Sequence, residues 1–199
     1  MGRNDIELVA IANVARDDAA FAELVHRHQA RLRAFLRRLC GSEDLADDIA
    51  QEAFIKAHAN LASFKGGGSF RSWLYAIAYR EFLQDRRREK AATRLEHALK
   101  NDAAHGANTN TSIESGLSMD LRRALMTLDE LERSALLLCD AAGLSHSEAA
   151  AATNTPLGSI KTYIGRGRKK MREALSGAPP QKPNEEQTIV ELKGVPHAV

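Results

Sequence analysis

The tetrapeptide "TNTP", Thr153 to Pro156, restricts the fold of this chain more than any other feature. Before it, Ser145 and Glu148 have the spacing of a capping box, which predicts a short helix through "EAAAAT". After it, Thr155 is placed as an N-cap with Pro156 at the first helical position, which predicts a second helix running to about Leu175. Upstream, Asp129 and Glu132 repeat the capping-box spacing, and Gly143 ends "LERSALLLCDAAG" as a left-handed stop. Three capped helices with a short turn between the last two are the layout of a helix-turn-helix. Leu144, Ala149, Leu157, Ile160 and Ile164 are spaced to fill a shared core, and the small residues Ala149 to Ala152 let the first short helix lie close to its neighbours.

With those residues turned inward, the last helix exposes Ser159, Lys161, Thr162, Arg166, Arg168, Lys169 and Arg172. Short polar groups beside free amide donors at its N-terminal end suit base edges and phosphate. The cationic C-terminal end suits backbone phosphates. A solvated basic face, with cations favouring the helix C-terminus, is the plain alternative. The paired caps and the turn favour DNA. A membrane-surface helix is disfavoured, because the apolar face is needed for the core and lacks aromatic anchors.

The N-terminal half is also helical. Residues 5–14 form a short predicted helix. A longer one starts in "RDDAAF", with Phe21, Leu24, Val25, His28, Leu32, Phe35, Leu36 and Leu39 at helical spacing and Gly41 placed to end it. Ser42 opens the next, whose buried side is Leu45, Ile49, Ala53, Phe54, Ala57 and Leu61. Asp47, Asp48, Gln51 and Glu52 lie on its other side, either as a solvated face or as a docking surface for a basic protein. "SFKGGGSF" is a loop. Ser69 then caps a helix in which Trp73, Tyr75, Tyr79 and Phe82 are interleaved with Arg71, Arg80, Arg86, Arg87 and Arg88. Stacking platforms among cations suit unpaired bases. Trp73 reads as core, whereas Tyr75 and Tyr79 are equally consistent with core and with stacking.

There is no strand-like alternation and there are no repeats, so the expected fold is all-α in two small modules. The first spans 1–90, a polar linker 91–116, the helix-turn-helix 117–176, and a proline-rich tail 177–199 is expected not to pack. Formal net charge is only +2, so the distribution of charge carries the argument. The two cysteines, Cys40 and Cys139, sit apart in apolar helices and read as small buried hydrophobes. No metal spacing, Ser/His/Asp set or phosphate loop is present, and "KGGGS" lacks the P-loop pattern. A non-enzymatic protein with no cofactor and no metal is expected. No apolar run is long enough to insert in a membrane, and a cytoplasmic location is expected. A stand-alone helix-turn-helix regulator, with a sensing or dimerising first module, is the alternative that these residues leave open.

Two blocks in order, "FAELVHRHQARLRAFLRRLCGSEDLADDIAQEAFIKAHANLASFKGGGSFRSWLYAIAYREFLQDRRR" and "LMTLDELERSALLLCDAAGLSHSEAAAATNTPLGSIKTYIGRGRKKMREAL", resemble the extracytoplasmic-function (ECF) sigma factors of bacterial RNA polymerase. The resemblance covers roughly residues 5–175. It implies two helical domains, region 2 and region 4, that bring core polymerase to a promoter and open the start-site duplex. "DLADDIAQEAF" is similar to the segment that binds the clamp helices of the β′ subunit, through Asp47, Asp48, Gln51 and Glu52. The loop Lys65, Gly66, Gly67, Gly68 and Ser69 is similar to the one that cups a flipped base. Arg71, Tyr75, Tyr79, Arg80, Gln84, Arg87 and Arg88 would border the unpaired −10 strand. The last helix resembles the −35 reader, and the resemblance adds Ser145, Pro156 and Gly158 to its DNA-contacting set. The β flap and an anti-sigma factor are further partners that it implies. Arg80 and Gln84 stand where many relatives have Asn and Asp, and Gly165 and Gly167 replace bulkier residues on the reading helix.

Overall fold

A computed structural model of the chain describes residues 3–66, 68–99 and 119–176, with side chains of the first segment pair described through Leu95. Gly67, Leu117, most of the expected linker and the whole expected tail lie outside the described residues. All regular structure in the described residues is helical.

Helix α1, Asp5–Val14, starts at a complete capping box between Asn4 and Glu7. It is clipped to α2, Asp18–Cys40, where His28 Nε2 lies 2.7 Å from one Asp5 oxygen and Arg27 Nη1 3.3 Å from the other. The expected apolar position His28 is therefore a polar tether. Asp17 caps α2 by accepting from the amides of Ala19 and Ala20, and Gly41 ends it at φ +73°. That left-handed conformation strains any residue with a Cβ.

Ser42 accepts from the Leu45 amide and opens α3, Glu43–Ala59. Its packed side is built largely of Ala46, Ile49, Ala50, Ala53 and Ala57, so small side chains let α3 lie close against α2. A single 3-10 turn, Leu61–Ser63, leads to the glycine loop. Ser69 Oγ accepts from the Ser72 amide and starts α4, Phe70–Leu99. Leu24, Leu32, Leu36, Leu39 and Leu74 are fully buried between α2, α3 and α4. Each such burial contributes about 1.5–3 kcal/mol.

Helix α4 runs past the expected boundary at residue 90. Its last turns, residues 91–95, are all exposed. They include Ala91, Ala92, Arg94 and Leu95, whose intrinsic helix preference needs no buried face.

The second half begins with α5, Met119–Met126, and α6, Glu130–Leu136. The Glu132 carboxylate accepts from the Asp129 amide at 3.3 Å. The helix then widens into a π turn over Leu137–Ala141, closed by Gly143 at φ +70°. No sequence signal announced that turn. The Ser145–Glu148 capping box opens α7, His146–Thr153, and Asn154 ends it in the left-handed region at φ 50°. Helix α8, Leu157–Ser176, follows. Thr155 does not cap it through its side chain: the hydroxyl turns back to the Thr153 carbonyl, 3.3 Å away. Leu144, Ala149, Ile160 and Ile164 are buried as expected, but Leu157 is 44% exposed, because the first turn of α8 projects beyond the core.

Candidate polymerase and promoter-DNA surfaces

On α3, Asp48 and Gln51 face solvent, and Glu52 is half-exposed. Asp47 is less free. Its Oδ1 lies 3.6 Å from Arg33 Nε and 3.8 Å from Arg37 Nη2, so α2 already draws on its charge. Glu52 shares Lys56 with Glu81 of α4, at 3.4 and 2.6 Å. Charge available to a partner is therefore concentrated at Asp48, with Gln51 beside it.

The surface beyond the glycine loop is a stripe along α4. Trp73, Ala76, Arg80, Gln84 and Arg87 recur at helical spacing, and Arg80, Gln84, Arg87 and Arg88 are all exposed. Lys65, Gly66 and Gly68 are exposed too, and Ser69 and Arg71 are half-buried. Phe64 and Trp73 stack obliquely, with ring centroids 5.6 Å apart, at the base of this loop.

The tyrosines require a correction. Tyr75 is 1% exposed and its ring lies 5.0 Å from that of Phe35, inside the three-helix core. Burial pushes its phenol up to about 12. It cannot border a DNA strand. Tyr79 is equally buried, but under the second module, where its hydroxyl faces Ser134, Glu130 and Arg133. Trp73, expected in the core, is instead partly exposed on the stripe. Pattern alone could not separate these, because both faces of this part of α4 are covered, one by α2 and α3 and the other by α7.

On α8, Ser159 is half-buried and Gly158, Lys161, Thr162, Arg166 and Arg172 are exposed, as is Pro156 before it. Lys161, Arg166 and Arg172 have no counter-charge among the described residues. Arg168 is different: its guanidinium makes a two-point contact with Asp140, Nε to Oδ2 at 3.0 Å and Nη2 to Oδ1 at 2.6 Å. Lys169 reaches Glu173 at 3.9 Å. Lys170 pairs with Glu132, itself buried, at 2.7 Å. Part of the C-terminal cationic end thus holds α8 to α6 and the π turn. Leu157, which the core-filling pattern placed inside, is exposed beside these residues.

The two glycines of α8 have separate roles. Gly167 is buried where α8 crosses α6, with space for a Cβ 3.5 Å from the Glu132 carbonyl oxygen, whereas a Cβ at Gly165 would meet nothing within 4 Å. The helix passes through both without a break. Gly165→Ala is expected to stabilise the fold by about 1 kcal/mol, by helix preference alone. A thermal midpoint raised by a few degrees in differential scanning calorimetry checks this, and an unchanged or lowered midpoint contradicts it.

Ser145 is committed to the cap of α7. Its amide donates to Glu148 Oε2 at 2.9 Å, and its hydroxyl lies 2.9 Å from the same oxygen. That amide, then the hydroxyls of Ser145, Ser69 and Ser72, hold the Glu148 carboxyl at about 2, against the opposing effect of partial burial. A depressed carboxyl stabilises the fold at pH above its ordinary value of 4.5, and that stabilisation is lost as pH falls towards about 2. Glu148→Gln has no proton to take up there. Between pH 4.5 and 2.5 its thermal midpoint is expected to fall less steeply than that of the wild type; parallel slopes would contradict the assignment.

An acidic helix, a cation-edged stripe beside a glycine loop, and a helix-turn-helix with a basic last helix are thus combined in one chain of two modules. Residues 24–92 match the family description Sigma-70 region 2, and residues 118–171 match Sigma-70, region 4. The chain is 34% identical over 175 residues to the ECF RNA polymerase sigma factor SigE of Mycolicibacterium smegmatis, covering 84% of this chain and 67% of that one. It is 35% identical over 147 residues to the ECF RNA polymerase sigma factor EcfG of Rhodopseudomonas palustris, covering 72% and 78%. Among solved structures it resembles the sigma factor RpoE in complex with the anti-sigma factor NepR from Bartonella quintana, with TM-score 0.66, 29% identity and coverage of 78% of this chain and 96% of that one. It also resembles CnrH in complex with the cytosolic domain of CnrY, with TM-score 0.63, 28% identity and coverage of 86% and 97%. The chain belongs to the ECF sigma factors of the sigma-70 family, with regions 2 and 4. It is a non-enzymatic factor that directs transcription initiation by RNA polymerase.

Proposed function

We propose the following division of labour. Region 2, residues 1–90, docks α3 on the clamp helices of β′ through Asp48, Gln51 and Glu52, with Asp47 completing the acidic edge. Its loop Lys65–Ser69 and the stripe Trp73, Arg80, Gln84, Arg87 and Arg88 capture the unpaired −10 strand. Region 4, residues 117–176, lays α8 in the −35 major groove beside the β flap, with Ser159, Lys161, Thr162 and Arg166 nearest the bases. Melting costs a few kcal/mol per unstacked step. Capture of extruded bases, at about 1–3 kcal/mol each, offsets that cost. An anti-sigma factor that clasps both regions is the expected regulator; the similar sigma factor RpoE is in complex with the anti-sigma factor NepR. Because its work is done on polymerase and chromosomal DNA, its place is the cytoplasm; among the described residues no helix is long and apolar enough to cross a membrane.

The observation that carries this reading is the solvent-facing side of α3. Its carboxylates repel DNA, yet they share one compact chain with two cation-edged DNA surfaces, so they suit a protein partner. The overall charge of +2 leaves the chain alone with weak electrostatic attraction for duplex. In a gel shift at physiological salt, the holoenzyme is expected to bind promoter duplex and the isolated factor is not. Tight, sequence-specific binding by the isolated factor would contradict the proposal.

A further inference from the structure

Leu157 is a large apolar side chain that the core of region 4 leaves outside. The spacing that buries Ile160 and Ile164 also reaches Leu157, yet Ile160 is 1% exposed and Leu157 44%. Its chain neighbours, Pro156 and Gly158, are exposed as well. A Cβ added at Gly158 would meet nothing within 4 Å, so the space beside Leu157 is open. Lys161, four residues on and also exposed, lies on the same side of the helix. The N-terminal residues of a reading helix are the ones that meet base edges. In α8 that end is poor in hydrogen-bond donors. Pro156 has no amide hydrogen, and Leu157 and Gly158 have no polar side-chain atom. Thr162 spends its hydroxyl proton on the Gly158 carbonyl, 3.0 Å away. That leaves Lys161 and the half-buried Ser159 as the side-chain donors over 156–162.

We propose that Leu157 is a specificity-determining residue of the −35 helix, and that it reads the 5-methyl group of a thymine in that element. The proposal rests on the reading of α8 as the −35 helix. In the major groove the thymine methyl is the base feature that an aliphatic side chain can recognise, since the other exposed groups are hydrogen-bond donors and acceptors. Contact between the two takes apolar surface of both out of water, which no contact with a cytosine, guanine or adenine edge would match. The methyl belongs to one strand of its pair, so the contact separates T·A from A·T as well as from both G·C orientations. Gly158, with no side chain, lets this end of the helix approach the base pairs closely. Lys161, on the same side, engages a neighbouring base or phosphate. The basic residues farther along α8 then supply attraction for the backbone, and Leu157 supplies discrimination that charge cannot.

The test uses holoenzyme and a promoter duplex taken from a start site mapped by transcription of genomic DNA. Each thymine of the −35 element, on either strand, is replaced in turn by deoxyuridine, which removes the methyl group and keeps the base pair. With the wild-type factor, one replacement is expected to weaken binding about fourfold, the contribution of one buried methyl-sized group expressed as affinity. Leu157→Ala is expected to bind the unmodified duplex at least that much more weakly and to be indifferent to the same replacement. Leu157→Met, which keeps an apolar side chain of similar reach, should restore the sensitivity. A wild-type factor indifferent to every replacement overturns the proposal without need of a variant, and so does a −35 element with no thymine on either strand. Leu157→Ala that keeps the wild type's sensitivity also overturns it, and would place the side chain against a protein partner instead. Replacing the whole −35 element separates this proposal from the reading beneath it. If full replacement weakens binding and no deoxyuridine does, the role of Leu157 fails alone. If full replacement costs nothing, the −35 assignment of α8 fails, and the role of Leu157 with it.

Discussion

Reversing two charges on one helix, Asp48→Arg with Glu52→Arg, is expected to lower affinity for core RNA polymerase by more than about 100-fold. Like charges facing each other at an interface cost several kcal/mol, and about 1.4 kcal/mol is a factor of ten in affinity. The fold has little reason to object. Asp48 is exposed, and when Glu52 is lost Lys56 keeps its contact with Glu81 at 2.6 Å. Circular dichroism should match the wild type, while fluorescence anisotropy against labelled core shows the loss. Asp47→Ala makes the informative contrast. It frees Arg33, now 3.6 Å from the Asp47 carboxylate, and leaves Arg37 on Glu43 at 2.6 Å, so part of any effect there would come from region 2 itself. Wild-type affinity in the double reversal would remove α3 from the polymerase interface.

The second large effect is expected on α8. Lys161→Ala with Arg166→Ala removes two exposed cations that no carboxylate among the described residues neutralises. At about 1–3 kcal/mol for each good contact to a base edge, and about 1.4 kcal/mol per factor of ten, promoter-directed transcription should fall by at least about 30-fold at unchanged core affinity. If Lys161 contacts phosphate, Lys161→Ala should flatten the salt dependence of holoenzyme binding by about one unit of slope and weaken all promoters alike. Arg168→Ala is a different experiment, since its side chain is spent on Asp140. Its effect should appear as lower thermal stability of region 4. An α8 double variant that transcribes like wild type would contradict the −35 assignment.

Local chemistry made most of this fold legible in advance. Ser42, Ser69, Ser145, Gly41 and Gly143 announce helix ends because a cap is a contact between a side chain or a special φ and residues a few positions away. The reading helix and the acidic side of α3 followed from the same short-range periodicity. What was hidden depends on long-range partners. Tyr79 is buried only because Ser134 and Arg133 arrive from another helix, and Tyr75 because Phe35 does. Leu157 and Trp73 exchanged roles with expected neighbours for the same reason: a helical wheel shows which residues share a face, and not what covers that face. The pairing of Arg168 required a π turn, which has no residue signature. Helix α4 exceeded its expected end because an exposed helix needs propensity rather than an apolar face.

The central claim is that this chain supplies promoter choice to polymerase. Core enzyme transcribing purified genomic DNA, with and without the factor, tests it most directly when the 5′ ends of the transcripts are mapped. The account predicts a discrete set of start sites that appears only with the factor, each preceded by the same pair of −10 and −35 elements, and that disappears with the α3 charge reversal. Start sites that are the same with and without the factor would contradict it.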